Sequence, residues 1–308
     1  MIKTIFMGTP EFAVPILDTL RKFTEVVLVV TQPDQLVGRK RVLNSCPVKK
    51  KALDYSIPVF QPVKIRLDDE EIFKYQPDLI VTCAYGQIIP KEILDLPRLG
   101  CINVHASLLP KYRGGAPIQH AILDGESNTG ITIMYMDEHM DTGDLIAKES
   151  IPILEDDTYG TLSERLSVLG AKLLEEVLPS IIDGTNPREK QNEELASYAP
   201  IIKRSDELLD FHQSALEVAN QVRAFNPAPL AYFLLNGEET KVLEGYVGGA
   251  TNLDAGTIVD IKRDAIGIAC SDHIYYLTKI KPFGKKEMLV RDYLNGANLE
   301  KLKSSTIG

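Results

Sequence analysis

The pattern of apolar residues changes character once along this chain, and that change restricts the fold more than any other feature. Over roughly the first 185 residues, short apolar runs alternate with helical periodicity. Ile2–Met7, Glu25–Thr31, Asp78–Cys83, Cys101–Val104, Gly130–Met136 and Leu145–Ile153 are strand candidates, short and rich in β-branched residues. Phe12–Lys22 reads as a helix. A longer helix, capped by Thr158, places Leu162, Leu166, Leu169, Leu173 and Val177 on one face and stops near Gly184 and Pro187. Strands alternating with helices require crossover connections and a mostly parallel sheet. From Leu230 onward the pattern changes and no helices alternate with the strands. Short strand candidates at 231–235, 240–247, 256–261, 265–270 and 273–280 are separated by turns such as Asn236-Gly237, the signature of a small all-β barrel or sandwich. The polar stretch before this region has no sustained period and is expected to be a linker. The expected organisation is an α/β domain over 1–185, a linker over 186–207 and a β-rich domain over 208–308.

Charge argues at first against a nucleic-acid partner. The chain carries 34 Lys+Arg against 43 Asp+Glu, a formal charge of −9, which excludes a protein that coats nucleic acid. The distribution is uneven, however. Asp68–Glu71 and Glu155–Asp157 are acidic, whereas 35–51 contains Arg39, Lys40, Arg41, Lys49, Lys50 and Lys51 and no acid. A solvated loop and a phosphate contact are the competing readings of that stretch. No apolar run approaches the ~18–20 residues of a membrane span. The first residues have neither an apolar segment nor a small-residue cleavage site, so no signal peptide is expected. The four cysteines form no CxxC and no zinc-finger spacing, so the expectation is buried thiols in a reducing cytoplasm and no metal.

Residues able to carry chemistry cluster after the strand candidates. Gly8-Thr9-Pro10 ends the first strand, but the GxGxxG spacing of a dinucleotide site is missing and Pro10 lacks an N–H. Asn103 and His105 stand at positions i and i+2 at the end of the fourth strand, so they share one face. At the carboxyl edge of an open α/β sheet that face looks into the ligand crevice. An amide and an imidazole there can stabilise a developing oxyanion. The loop over 107–118 mixes apolar and cationic residues and is broken by Pro110, Gly114 and Gly115, which suits a substrate wall. Asp137, Asp141 and Asp144 follow the fifth strand. Each could orient His105, and pattern alone does not choose among them.

The runs MGTPEFAVPIL, TQPDQLVGRK, PVKKKAL, AYGQIIPKEIL, LGCINVHASLLPKYRGGAPIQHAIL, GITIMYMDEHMDTGDL, RAFNPAP and GKKEM resemble the methionyl-tRNA formyltransferases, a branch of the folate-dependent formyltransferases. The likeness runs over nearly the whole chain. It implies a Rossmann-like formyltransferase domain joined to a C-terminal OB-like β-barrel. It implies 10-formyltetrahydrofolate as formyl donor, initiator Met-tRNA as acceptor, no metal, no membrane association and a monomer. The family's catalytic residues fall on Asn103, His105 and Asp141, the last because it is the first Asp of DTGD. Folate contacts fall on Ser107, Leu108, Leu109 and Pro110, and on Gln87, Ile88 and Ile89 around the AYGQIIP turn. The tRNA contacts fall on Arg39, with Lys40 and Arg41 beside it, and on Lys285 and Lys286.

Two departures stand out. His120 occupies a position where relatives commonly carry Arg. The C-terminal domain is nearly balanced in charge, so tRNA contact there must rest on local clusters. Transfer to glycinamide ribonucleotide or an amino-sugar nucleotide, or hydrolysis of the donor, would use the same catalytic block but would leave the GRK loop and the β-rich domain unexplained. A non-catalytic tRNA-binding protein is a further class, opposed by the intact Asn103, His105 and Asp141.

Overall fold

A computed structural model of the chain describes residues 1–37 and 42–307. The chain divides into two compact units. Met1–Pro117, Asn128–Pro152 and Ser163–Pro200 form the first; Ile118–Ser127, Ile153–Leu162 and the chain from Ile201 onward form the second.

The first unit is built on β1 (Lys3–Gly8), β2 (Glu25–Val30), a small hairpin β3 (Gln35–Val37) and β4 (Val42–Asn44), β5 (Val59–Phe60), β6 (Leu79–Cys83), β7 (Cys101–His105), β8 (Asn128–Tyr135) and β9 (Leu145–Pro152). Apart from the hairpin, these strands form one seven-stranded sheet in the order β5-β2-β1-β6-β7-β8-β9. Pairing is parallel from β5 through β7, then antiparallel between β7 and β8 and between β8 and β9. The sheet is thus Rossmann-like and mostly parallel, as the alternation implied. After β1 the chain builds outward through β2 to β5, then crosses to β6 and builds the other way. That reversal opens a crevice at the carboxyl ends of β1 and β6. The residues of β6 are buried throughout, as expected of a strand covered on both faces.

The first helix runs over Val14–Phe23 and buries Ile16, Leu17 and Leu20. The long helix runs over Tyr159–Asp183. Its buried residues include Leu166, Gly170, Leu174, Leu178 and Ile181, a stripe that drifts from the expected one and leaves Leu169 and Val177 only partly covered. Gly170 explains why this helix lies so close to the site strand. A Cβ there would stand 3.0 Å from Val104 Cγ1 and 3.3 Å from Ile16 Cδ1. Ser167 Oγ also donates to the Phe12 carbonyl at 2.7 Å, fastening the long helix to the turn before the first.

Residues 186–200, part of the expected linker, group with the first unit. Leu145 and Glu189 exchange backbone bonds at 2.7 and 3.0 Å, and the Ala199 N–H donates to the Arg113 carbonyl at 2.7 Å. Their polar side chains satisfy loop groups of the α/β unit, so the segment has no need of an apolar period.

The second unit contains the helix Ala215–Ala224, opened by a reciprocal cap between Ser214 and Glu217. Arg223 near its end donates to the Asp157 carbonyl at 2.9 Å and to Asn220 Oδ1 at 2.7 Å. There follow β10 (Tyr232–Leu235), β11 (Glu238–Ala250), β12 (Ile258–Ile261), β13 (Ile266–Ala269), β14 (His273–Pro282) and β15 (Met288–Leu289). They form a six-stranded antiparallel sheet, β10-β11-β14-β13-β12, with β15 on β14. Phe233 from one end of that order and Ile258 from the other line one interior together with Ile266, Leu277 and Ile280. The sheet therefore curls into the barrel-like domain that the short strands implied. Among the described residues, no helix is long and apolar enough to cross a membrane.

Close helix–strand approach at Gly170 has a measurable consequence. In an ordinary helix interior, Gly→Ala stabilises by about 1 kcal/mol. Here Gly170→Ala is expected to lose that gain, and Gly170→Leu to lower the unfolding free energy by about 1–3 kcal/mol through overpacking against Val104. Urea denaturation of the two variants checks both.

Candidate active site

Asn103 and His105 emerge from the last residues of β7, and Asp141 comes from the loop between β8 and β9. The three polar groups meet. Asn103 Nδ2 lies 3.5 Å from Asp141 Oδ1, and His105 Nδ1 lies 3.7 Å from Asp141 Oδ2. His105 is 5% exposed. Its Nε2 stands 3.0 Å from the Tyr112 carbonyl. A carbonyl can only accept, so Nε2 carries a proton and Nδ1 is the nitrogen left facing the carboxylate. The Asn103 amide is oriented in a comparable way. Thr82 Oγ1 at the end of β6 stands 2.8 Å from Asn103 Oδ1 and donates to it, which turns the NH₂ toward Asp141. The reverse orientation would set an amide oxygen against a carboxylate.

Asp141 holds its place through other bonds. Its Oδ2 accepts the Gly114 N–H at 2.8 Å, and its own carbonyl accepts from Gln191 Nε2 at 2.8 Å. Its φ of 55° lies in the left-handed region, which Asp tolerates better than most residues. Gly114 has φ 118°, and a Cβ there would come within 2.7 Å of the Ala199 carbonyl oxygen. Of the three aspartates that the pattern left open, Asp141 is the one facing both Asn103 and His105. Asp137 instead takes the His139 N–H and the Thr142 hydroxyl within its own loop, and Asp144 approaches Arg188 at 3.9 Å.

The candidate folate residues are placed in three different ways. Ser107 is buried, donating Oγ to the Lys111 carbonyl at 2.7 Å. Leu109 is used within the protein: it packs with Met134 and Leu145, its N–H donates to Thr132 Oγ1, and its carbonyl accepts from Lys148. Leu108 packs above Gly130, and Pro110 is half-buried. In the turn after β6, Gln87 braces a neighbouring loop, accepting the Ile65 N–H at 2.8 Å and donating to the Pro62 carbonyl at 3.1 Å. Ile89 is buried, whereas Ile88 is 82% exposed.

Arg39, Lys40 and Arg41 lie outside the described residues. The rest of the basic stretch is a helix, Pro47–Asp54, and its lysines are engaged internally. Lys49 bonds Asp34 and Gln61 at 2.6 Å each, Lys50 bonds Asn44, and Lys51 pairs with Asp18. The Lys49 ammonium holds the Asp34 carboxyl below its ordinary range. Lys285 and Lys286 are exposed in the second unit, between β14 and β15.

Sequence reasoning missed Thr82, Arg113, Gly114, Gln191 and Glu193. Arg113 and Gly114 stand in the RGG run, whose composition suits a substrate wall. Gln191 and Glu193 had no signal, because they lie in the aperiodic stretch. The Arg113 side chain is buried; it donates to Gln191 Oε1 through Nε at 3.2 Å and Nη2 at 2.8 Å, and to both Glu193 oxygens at 2.8 Å.

A mostly parallel sheet with an amide, an imidazole and a carboxylate converging at its carboxyl edge, and without the dinucleotide glycines, defines an α/β enzyme of the Rossmann-like class. The chain belongs to the formyl transferase family: residues 2–178 match the formyl transferase model and residues 201–298 that of the formyl transferase C-terminal domain. It is 50% identical over 305 residues to the methionyl-tRNA formyltransferase of Bacillus subtilis (strain 168), covering 97% of this chain and 96% of that protein. It is 48% identical over 299 residues to that of Staphylococcus epidermidis (strain ATCC 12228), covering 96% of each. Among solved structures, it is similar to the N-formyltransferase from Helicobacter canadensis in complex with folinic acid and dTDP-3-aminofucose. The TM-score is 0.66 at 22% identity, with 92% of this chain and 100% of that one covered, a likeness of fold.

The Arg113 guanidinium holds the Glu193 carboxyl below the ordinary glutamate range. A carboxylate lowered in the folded state contributes stability that is complete above the unfolded value, about 4.3. It is lost as pH falls through the lowered folded value. Protection of the 189–199 amides from hydrogen exchange should therefore persist down to pH about 4.3 and fall on further acidification. In Glu193→Gln that protection should be reduced already at neutral pH.

Proposed function

We propose that this chain transfers the formyl group of 10-formyltetrahydrofolate to the α-amino group of methionine on initiator Met-tRNA. The observation that carries this reading is the identity of about 50% to methionyl-tRNA formyltransferases across 97% of the chain, which takes in both the α/β unit and the barrel-like unit. The folate donor is supported by the folinic acid bound in the solved N-formyltransferase of similar fold and by membership of the formyl transferase family.

The reaction asks little of the protein beyond placement and charge. The methionine amine attacks as the neutral species, accessible near neutral pH because an α-amino group titrates at about 7.7–8.0. As the new C–N bond forms, the formyl oxygen gains negative charge. In this scheme the Asn103 NH₂ turns from Asp141 to donate to that oxygen, and a protonated His105 donates from Nδ1, since Nε2–H is already committed to Tyr112. Asp141 stands opposite Nδ1. It relays the proton lost by the attacking amine to N10 of the folate, as the C–N10 bond breaks. The separations of 3.5 and 3.7 Å leave both donors free to turn to a reacting group. Ser107, Leu108, Leu109, Pro110 and Gln87–Ile89 shape the folate side. Arg39, Lys40, Arg41, Lys285 and Lys286 contact the tRNA.

Purified protein given 10-formyltetrahydrofolate and charged initiator tRNA should formylate it, with glycinamide ribonucleotide and an amino-sugar nucleotide left unmodified. Asn103→Ala, His105→Ala and Asp141→Ala should each cut kcat by roughly 10²–10³ while the fold is kept. A fully active His105→Ala enzyme removes the scheme. Arg39→Ala should leave kcat near normal and raise KM for Met-tRNA, with a weaker salt dependence than the parent enzyme because one phosphate contact is gone.

A further inference from the structure

We propose that Gln191 is a positioning residue for the transfer reaction and that Arg113 and Glu193 hold it in place. Their common task is to fix the loop that carries Asp141. The inference rests on the reading of Asp141 as part of the reacting centre.

Gln191 uses its whole side chain. Its Nε2 donates to two carbonyls of the Asp141 loop, Asp141 at 2.8 Å and Gly143 at 2.9 Å. Its Oε1 accepts from Arg113 Nε and Nη2. An amide with two donors in one loop and its acceptor on a fixed guanidinium cannot rotate without breaking all of these bonds. Arg113 is fixed in turn by the two-point contact with Glu193 and by its backbone, which pairs with the 197–199 segment. The residue after Arg113 is Gly114, whose N–H holds the Asp141 carboxylate. One dipeptide, Arg113-Gly114, thus controls Asp141 by two routes: directly at the carboxylate, and through Gln191 at the backbone.

The geometry gives this arrangement a function beyond stability. Asp141 stands 3.5 Å from Asn103 Nδ2 and 3.7 Å from His105 Nδ1, both longer than its 2.8 Å bond from Gly114, so the trio itself sets its position only loosely. Its placement comes from the Gly114 and Gln191 bonds. Shifting the loop by an ångström would alter the carboxylate's distance to Nδ1 without disturbing β7, where Asn103 and His105 stand. Misplacement on that scale is enough to cost up to about a hundredfold in rate.

Gln191→Glu is the sharper test, because it keeps an acceptor for Arg113 and removes both donors to the Asp141 loop; Gln191→Ala is the second variant. For folded protein, kcat should fall at least tenfold, with KM for Met-tRNA and for the folate within twofold of the parent. In an Asp141→Ala background the same substitution should change the residual rate by less than twofold, since its effect passes through Asp141. Without any substrate, the Gly114 amide, which reports the seating of the carboxylate, should exchange at least tenfold faster, while β7 amides keep their protection. A parent-like kcat, an equal rate loss in the Asp141→Ala background, or an unchanged Gly114 amide overturns the proposal. A parent enzyme that fails to formylate Met-tRNA counts against the functional reading alone, because the exchange measurement still decides the positioning claim.

Discussion

The bond between the Gly114 N–H and the Asp141 carboxylate is the constraint on which the rest of the site depends. Asp141 has a side chain only 15% exposed, and a carboxylate largely withdrawn from water must be given fixed partners. One short bond at 2.8 Å meets that need. The separations to the Asn103 amide and the His105 imidazole are longer, so neither donor is committed to the carboxylate. Had the acid closed on both, the site would be a satisfied polar cluster with no hydrogen-bonding capacity left for a third group. The close approach at Gly114 demands its own concessions. The chain must pass beside the Ala199 carbonyl with no Cβ, and Asp141 must take a left-handed backbone conformation. Such conformations persist where the surroundings over-determine them, and here Gln191, Asp137 and Gly143 supply the surrounding bonds.

Behind that bond stands the sheet. β7 is the last parallel strand, and β8 lies antiparallel beside it with Thr132 opposite His105. Thr132 is a relay: its hydroxyl donates to the Ser107 carbonyl at 2.6 Å and accepts the Leu109 N–H at 3.0 Å. The loop leaving β7 is thereby tied to the strand next to it, and the imidazole and the 107–110 wall are held by the same neighbour. On the opposite face, Gly170 lets the long helix press against Val104, the residue between Asn103 and His105. Asn103 and His105 thus sit on sheet backbone, whereas Asp141 is placed by the hydrogen bonds that hold its loop.

The first unit was largely legible in the sequence. Its central strands are short, buried and β-branched, and each main-sheet candidate appears within a few residues of its expected place. The barrel-like unit was legible because its strands alternate with turns and no helix intervenes. What escaped has a physical reason in each case. The hairpin β3–β4 and the two-residue β5 are too short to show a period. The helix Pro47–Asp54 was hidden because its lysines, read as a charge run, serve Asp34, Asn44 and Asp18. The same fact narrows the basic surface on a chain of net charge −9. Of the six cations in 35–51, the first three lie outside the described residues.

The segment 186–200 carries the wider lesson. Low hydrophobicity without a period is ordinarily read as solvated chain, because such a stretch has no apolar face to bury. That inference holds for packing and fails for hydrogen bonding. A polar segment can be ordered by satisfying buried donors and acceptors that other loops leave open, and loops at the carboxyl edge of a parallel sheet leave many. Arg113 is a buried cation, and an unpaired buried charge is costly. Glu193 supplies its counter-charge and Gln191 a further acceptor. Once that guanidinium is placed against the site, a polar and aperiodic segment beside it meets its hydrogen-bonding needs. The absence of apolar pattern there follows from what the segment binds.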